Sequence, residues 1–196
     1  MQIIDTHLEF KDLTSRLKTS RLVVHHSASQ DVPAAEIHKW HLQRGFSGIG
    51  YHYLIRTNGT VEISRPVSME GAHAQGFNAD SIGVCMTGNF MQTSPSREQL
   101  SALTELVLEL NLHYGPLQIC RHSDLNPTDC PGVHFPWNQF RRELNRLEPK
   151  LDQQTWKNTL VKQSQADGLI SGDHHPDDLA PKWFVLAVAL NLRRIR

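Results

Sequence analysis

Arg21–Ser27 reads RLVVHHS, an apolar run that opens on a cation and closes on two histidines and a serine. So short a run, rich in β-branched residues, reads as a buried strand. Strand side chains alternate between faces, so His25 and His26 point to opposite sides of any sheet this strand joins. Only one of them can reach a given ion.

The flanking sequence supplies further elements. Pro33 opens a helical stretch to Arg44, and Gly45 stops it. Tyr51–Ile55 and Thr60–Ile63 flank Asn58-Gly59, a hairpin signal because both turn positions tolerate positive φ. Ser81–Thr87 (SIGVCMT) is another strand. Ser96 followed by Gln99 forms a capping-box pattern, and Leu100, Leu103, Val107 and Leu110 continue it as an apolar helical stripe that ends at Gly115. Leu117–Arg121 reads as a short strand, His122–Val133 as a loop and Trp137–Leu147 as a last helix. Residues 1–20 read as a lead-in with a helical turn around Phe10–Lys18. Strands mixed with helices give an α/β domain over residues 1–148. Beyond a polar joint at 149–154, residues 156–170 and 180–195 read as two helices, a small helical module over 155–196.

Composition narrows the function. Lys plus Arg equals Asp plus Glu at 20 each, so bulk charge lends nucleic-acid binding no support. The longest apolar run, Trp183–Leu190, is too short to span a bilayer, so no stable membrane insertion is expected. The start, MQIIDTHLEF, lacks the basic-then-apolar pattern of a secretory signal, and synthesis in the cytoplasm is expected. Three cysteines at wide spacing do not form a disulfide framework.

His122 and Cys130 lie on one loop with seven residues between them, and Pro127 and Pro131 stiffen it. With His25 they make a His–His–Cys trio. Zn2+ takes such a trio when three protein ligands hold it and a fourth position stays open for catalysis. Cys120, on the same strand face as His122, is a rival ligand, but two ligands at that spacing rarely converge on one ion.

The segments RLVVHHSAS, GYHYLI, EGAHAQGFNADSIGVCMTG and CRHSDLNPTDCPG occur in that order. Together they resemble the type-2 N-acetylmuramoyl-L-alanine amidases, a family of phage amidase-lysozymes and animal peptidoglycan recognition proteins, over residues 20–147. The resemblance implies a central mixed β-sheet flanked by helices, with zinc in a groove that binds bacterial peptidoglycan. It places the zinc ligands on His25, His122 and Cys130, and a catalytic tyrosine on Tyr51, whose hydroxyl would bond the attacking water or the oxyanion. Thr128 falls where phage amidases usually carry lysine and many recognition-type members carry threonine, so its hydrogen bond is neutral and weaker per contact. His73, Ala74 and Asn78 would line the groove and contact the muramyl sugar or stem peptide. Another branch carries a catalytic glutamate at the position of Cys85, which reads here as a core residue.

The resemblance also implies an endolysin-like enzyme that cuts the amide between N-acetylmuramic acid and L-alanine and acts on the wall after release. The C-terminal segment distantly resembles small helical modules that follow the catalytic domains of some phage wall hydrolases, and it is expected to target the wall or self-associate. The alternatives are a peptidoglycan-binding module without catalysis, a cytosolic amidase that recycles wall fragments, and a Cys–His hydrolase using Cys85 or Cys120. His38 and His41 read as partly exposed helix residues without a role, and His52 as buried and hydrogen-bonded.

Overall fold

The computed structural model describes residues 1–147 together with Val161, Lys162, Gln165 and Ala166. Those last four are helical. The expected joint at 149–154, the remainder of the two expected C-terminal helices and the self-association assigned to them lie outside the described residues.

Six strands form one mixed sheet in the order β1-β4-β3-β5-β2-β6. They are β1 (Ile3–Asp5), β2 (Arg21–His26), β3 (Tyr53–Ile55), β4 (Val61–Ile63), β5 (Ser81–Met86) and β6 (Gln118–Arg121). Only the β3–β4 hairpin is antiparallel, and Gly59, at φ +82°, makes its turn. The other pairs are parallel, so β2 runs alongside both β5 and β6 with all three C-terminal ends on one side.

Alternation along the strands sorts the two faces. Leu22, Val24, Ile82, Val84 and Met86 pack beneath α2 (Arg97–Tyr114) and α3 (Trp137–Leu147), with Leu103, Leu106, Val107, Phe140 and Leu144. The opposite face carries Leu54 and Cys85, packed with Ala34 and Ile37 of α1 (Ala34–Gln43) and with Ile49. His25 alternates with Leu22 and Val24, so it falls on the α1 face at the end of β2. His26 turns to the other side, where its Nδ1 accepts the Phe90 N–H at 3.0 Å.

The helix ends follow their local chemistry. Ser96 and Gln99 form the expected reciprocal capping box on α2. Pro33 precedes α1 but offers no side-chain acceptor. The buried carboxylate of Glu62 on β4 takes that place, accepting the Ala34 N–H at 2.7 Å and pairing with Arg56 at 3.0 Å.

The lead-in departs from expectation. Ile3–Asp5 is an edge strand parallel to β4, and no helix forms around Phe10–Lys18. The backbone there bonds across to the 66–70 segment instead, with Arg16 N–H to Ser68 O at 2.7 Å and Glu70 N–H to Thr14 O at 2.8 Å. Phe10 packs against the α1 cluster, edge-on to His38. So short a helix would be marginal alone, and docking satisfies the same backbone groups.

Gly83 of β5 leaves room for a neighbour's ring. A Cβ there would sit 2.4 Å from His73 Cδ2, and that ring is buried. Gly83→Ala is therefore expected to destabilise the fold by about 1–3 kcal/mol through overpacking, lowering the melting temperature by several degrees. An unchanged melting temperature in calorimetry would refute this packing account.

Candidate metal centre

The carboxyl ends of adjacent parallel strands are where open α/β sheets place their sites, because the connecting loops diverge there. His25 is the penultimate residue of β2, and His122 follows β6 directly, opening a short 3-10 turn at His122–Asp124. Cys130 comes from the loop beyond that turn. One potential ligand atom from each of His25, His122 and Cys130 lies within 4.8 Å of the others, and this is the one such group of three among the described residues. Cys130 Sγ is 3.6 Å from His25 Nδ1 and accepts the His26 backbone N–H at 3.4 Å. The His25 and His122 ring centroids are 4.5 Å apart.

Burial sets the charge state. Desolvation holds His25 well below the ordinary histidine value, with the neighbouring imidazoles adding to the effect. His122, half-buried, is lowered for the same first reason. Desolvation pushes the Cys130 thiol up to about 12, partly offset by the His26 N–H. A cation placed among these atoms would reverse that preference, since metal binding draws the proton from a thiol. Two neutral imidazoles and one thiol suit a borderline-soft divalent ion, and the cluster could bind a metal.

Tyr51 lies two residues before β3. Its ring is 5.1 Å from that of His25 by centroid, and it packs against the Cys85 cluster. Desolvation, followed by Cys85 and Cys130, holds its hydroxyl well above the usual phenol value, so it stays protonated and able to donate. Thr128 is exposed on the Cys130 loop, and its Oγ1 accepts the Cys130 N–H at 3.3 Å, leaving its own proton free.

His73, Ala74 and Asn78 occupy a loop beside the trio. Asn78 Oδ1 accepts the N–H groups of His73 and Ala74 at 2.9 and 3.0 Å. Ala74 is buried, and the buried His73 ring places Nδ1 3.0 Å from His25 Nε2. The contact between His73 and His25 is absent from the sequence reading. Forty-eight residues separate them, and no local pattern marks the pair.

Two other histidines gain structural roles. His38 is buried rather than partly exposed, and its Nδ1 accepts the Ile49 N–H at 3.2 Å. His41 Nδ1 accepts the Gly50 N–H at 3.1 Å. Together these α1 side chains tie down the chain immediately before Tyr51. Their i, i+3 spacing was the available signal, because it places both rings on one helix face.

Neither rival thiol joins the ligand trio, although Cys85 lies opposite His25 in the sheet. Cys120 lies outside the cluster, opposite Val23 in the sheet. Desolvation raises the pKa of both Cys85 and Cys120, which disfavours a thiolate nucleophile at either.

His52 is fully buried, with Nδ1 accepting the Gly83 N–H and Nε2 donating to Met69 O, both at 2.9 Å. Burial, then Arg16, pushes it from 6.5 to about 3. The unfolded ring charges near 6.5 whereas the folded ring stays neutral, so its stabilisation is whole above 6.5 and is lost as pH falls toward 3. About 2 kcal/mol should be gone by pH 5. Thermal unfolding of metal-free protein at pH 7 and pH 5 should show that fall, and equal melting temperatures would contradict it.

Comparison with known proteins follows the same outline. Residues 15–133 match the family described as N-acetylmuramoyl-L-alanine amidase. The endolysin of Klebsiella phage KP32 is 36% identical over 126 residues, covering 60% of this chain and 83% of that protein. Peptidoglycan-recognition protein SD of Drosophila melanogaster is 36% identical over 126 residues, covering 57% of this chain and 67% of that protein. The solved N-acetylmuramoyl-L-alanine amidase LysC from Clostridium intestinale superposes with a TM-score of 0.72 at 33% identity, covering 74% of this chain and 98% of that one.

Proposed function

The chain belongs to the N-acetylmuramoyl-L-alanine amidase family, and from that premise we propose that it is a zinc-dependent endolysin, cutting the amide between N-acetylmuramic acid and the L-alanine of the stem peptide. Amidase activity and a peptidoglycan partner follow from its relatives. The convergence of His25, His122 and Cys130 at the carboxyl end of the sheet carries the finer reading, because it offers a four-coordinate catalytic ion three protein donors and so one position for water or substrate.

A bound zinc ion would supply Lewis acidity and an activated water at neutral pH. The lactyl carbonyl is the electrophile, and its oxygen gains negative charge on attack. Tyr51 is protonated and its ring lies beside that of His25, so we assign its hydroxyl, which bonds the Cys85 thiol in this structure, as a donor to that oxygen when substrate is bound. Thr128, free to donate because its oxygen already accepts from Cys130, provides a second, neutral hydrogen bond. The proton given up by the attacking water passes to the alanine nitrogen, the bond between that nitrogen and the carbonyl carbon breaks, and the peptide leaves as a free amine. The His73–Asn78 loop forms a wall beside the trio, and we assign it the contact with sugar or peptide.

Delivery to the wall after release from the cytoplasm is part of this reading. No helix among the described residues is long and apolar enough to cross a membrane. Mass analysis of purified peptidoglycan digested with zinc-loaded protein tests the proposal. It should reveal new alanine amino termini and intact glycan strands, and cleavage between sugars or within the peptide would overturn it.

A further inference from the structure

We infer that the loop from Gly71 to Asn78 sets the tautomer of both histidines of the trio, through two hydrogen-bond chains that end on its own carbonyls at Phe77 and Gln75. The inference deepens the metal-centre reading and rests on it.

The first chain is resolved from its far end. Ser81 Oγ lies 2.6 Å from Phe77 O. A carbonyl oxygen only accepts, so the Ser81 hydroxyl donates to it. The lone pairs of Ser81 Oγ then face His73 Nε2 at 3.4 Å, which puts the His73 proton on Nε2 and leaves Nδ1 bare. That Nδ1 lies 3.0 Å from His25 Nε2. His25 must therefore donate from Nε2, and its own Nδ1 is left as a lone pair facing Cys130 Sγ at 3.6 Å.

The second chain follows the same logic. Asn126 Nδ2 donates to Gln75 O at 3.1 Å, which fixes the orientation of the amide. Its Oδ1 then faces His122 Nε2 at 3.2 Å and can only accept. His122 carries its proton on Nε2, and Nδ1 is free for an ion. Both imidazoles are thus committed to the same donor atom before a metal arrives.

The loop is built to hold this arrangement. Asn78 Oδ1 grips the backbone N–H groups of His73 and Ala74, and the Phe77 N–H closes on Ala74 O at 3.0 Å. Gly71 and Gly83 form a slot for the His73 ring, since a Cβ on either would fall 2.3 or 2.4 Å from Cδ2. The acceptors behind the two ligands are a neutral imidazole and an amide. They orient the rings without the added basicity that a carboxylate would confer, which leaves more of the ion's charge for the substrate carbonyl.

Long-range nitrogen–proton NMR spectra of metal-free, histidine-labelled protein read the tautomers directly. His25, His73 and His122 should all carry the proton on Nε2, and a proton on Nδ1 of any of them overturns the inference. Zinc affinity, measured by competition with a chromophoric chelator, provides the second arm. Ser81→Ala and Asn126→Leu should weaken it by about 10- to 100-fold. Asn126→Asp keeps an acceptor for His122 but loses the donor to Gln75, and it should bind at least as tightly as the parent. Equal losses in the Asp and Leu variants would reduce Asn126 to a loop tether and sink the proposal, as would unchanged affinity in Asn126→Leu. If the parent protein takes up no zinc, the metal reading fails, while the tautomers of the metal-free protein still decide this inference.

Discussion

Stripping zinc from the protein is expected to take muropeptide release to background, and returning zinc should restore it. A bound ion of this kind contributes several kcal/mol of transition-state stabilisation, so the loss should reach about 10^3-fold or more. Cys130→Ala should do the same permanently. It removes the thiol that lies beside His25 Nδ1 and closes the trio. Zinc content by elemental analysis and turnover on purified peptidoglycan give the two readouts. A fully active chelated protein would end the zinc assignment, and an active Cys130→Ala variant with bound metal would move the third ligand elsewhere.

Tyr51→Phe should leave the metal in place and slow the chemistry. The ring packs against the Cys85 cluster, and phenylalanine keeps that packing, so the fold should hold. What disappears is the hydroxyl that the proposed mechanism uses as an oxyanion donor, and losing such a donor costs about 10^2- to 10^3-fold in kcat. Zinc affinity should match the parent. A rate near the parent's would show that Tyr51 only fills space, and loss of zinc would show that it supports the ligands instead. Thr128, exposed and offering a weaker neutral bond, should contribute less than Tyr51.

The two predictions differ in how their residues became visible. His25, His122 and Cys130 could be read as a trio from a strand end and a stiff loop that carry donor side chains, whereas Tyr51 was singled out only by the family resemblance. His73 was legible only as part of a glycine-rich loop. Its contact with His25 depends on Gly71 and Gly83 approaching one ring from separate segments. His38 and His41 read as partly exposed helix residues without a role, which holds for the exposure of His41 alone, because a helix pattern cannot show that Ile49 and Gly50 will turn their N–H groups toward them.

Local patterns in the chain specify the order and kind of most elements: the β2 strand, the Asn58-Gly59 hairpin, the capped α2 helix and the opposite faces of His25 and His26. These follow from periods of 2 and 3.6 residues and from turn and cap chemistry, all of which act over a few neighbours. Tertiary structure alone decided the pairing of Ile3–Asp5 with β4, the capping of α1 by Glu62 and the chains that tie both histidines to one loop. Buried polar groups take whichever partner the sheet order brings within reach, and that choice is made between residues far apart in the chain.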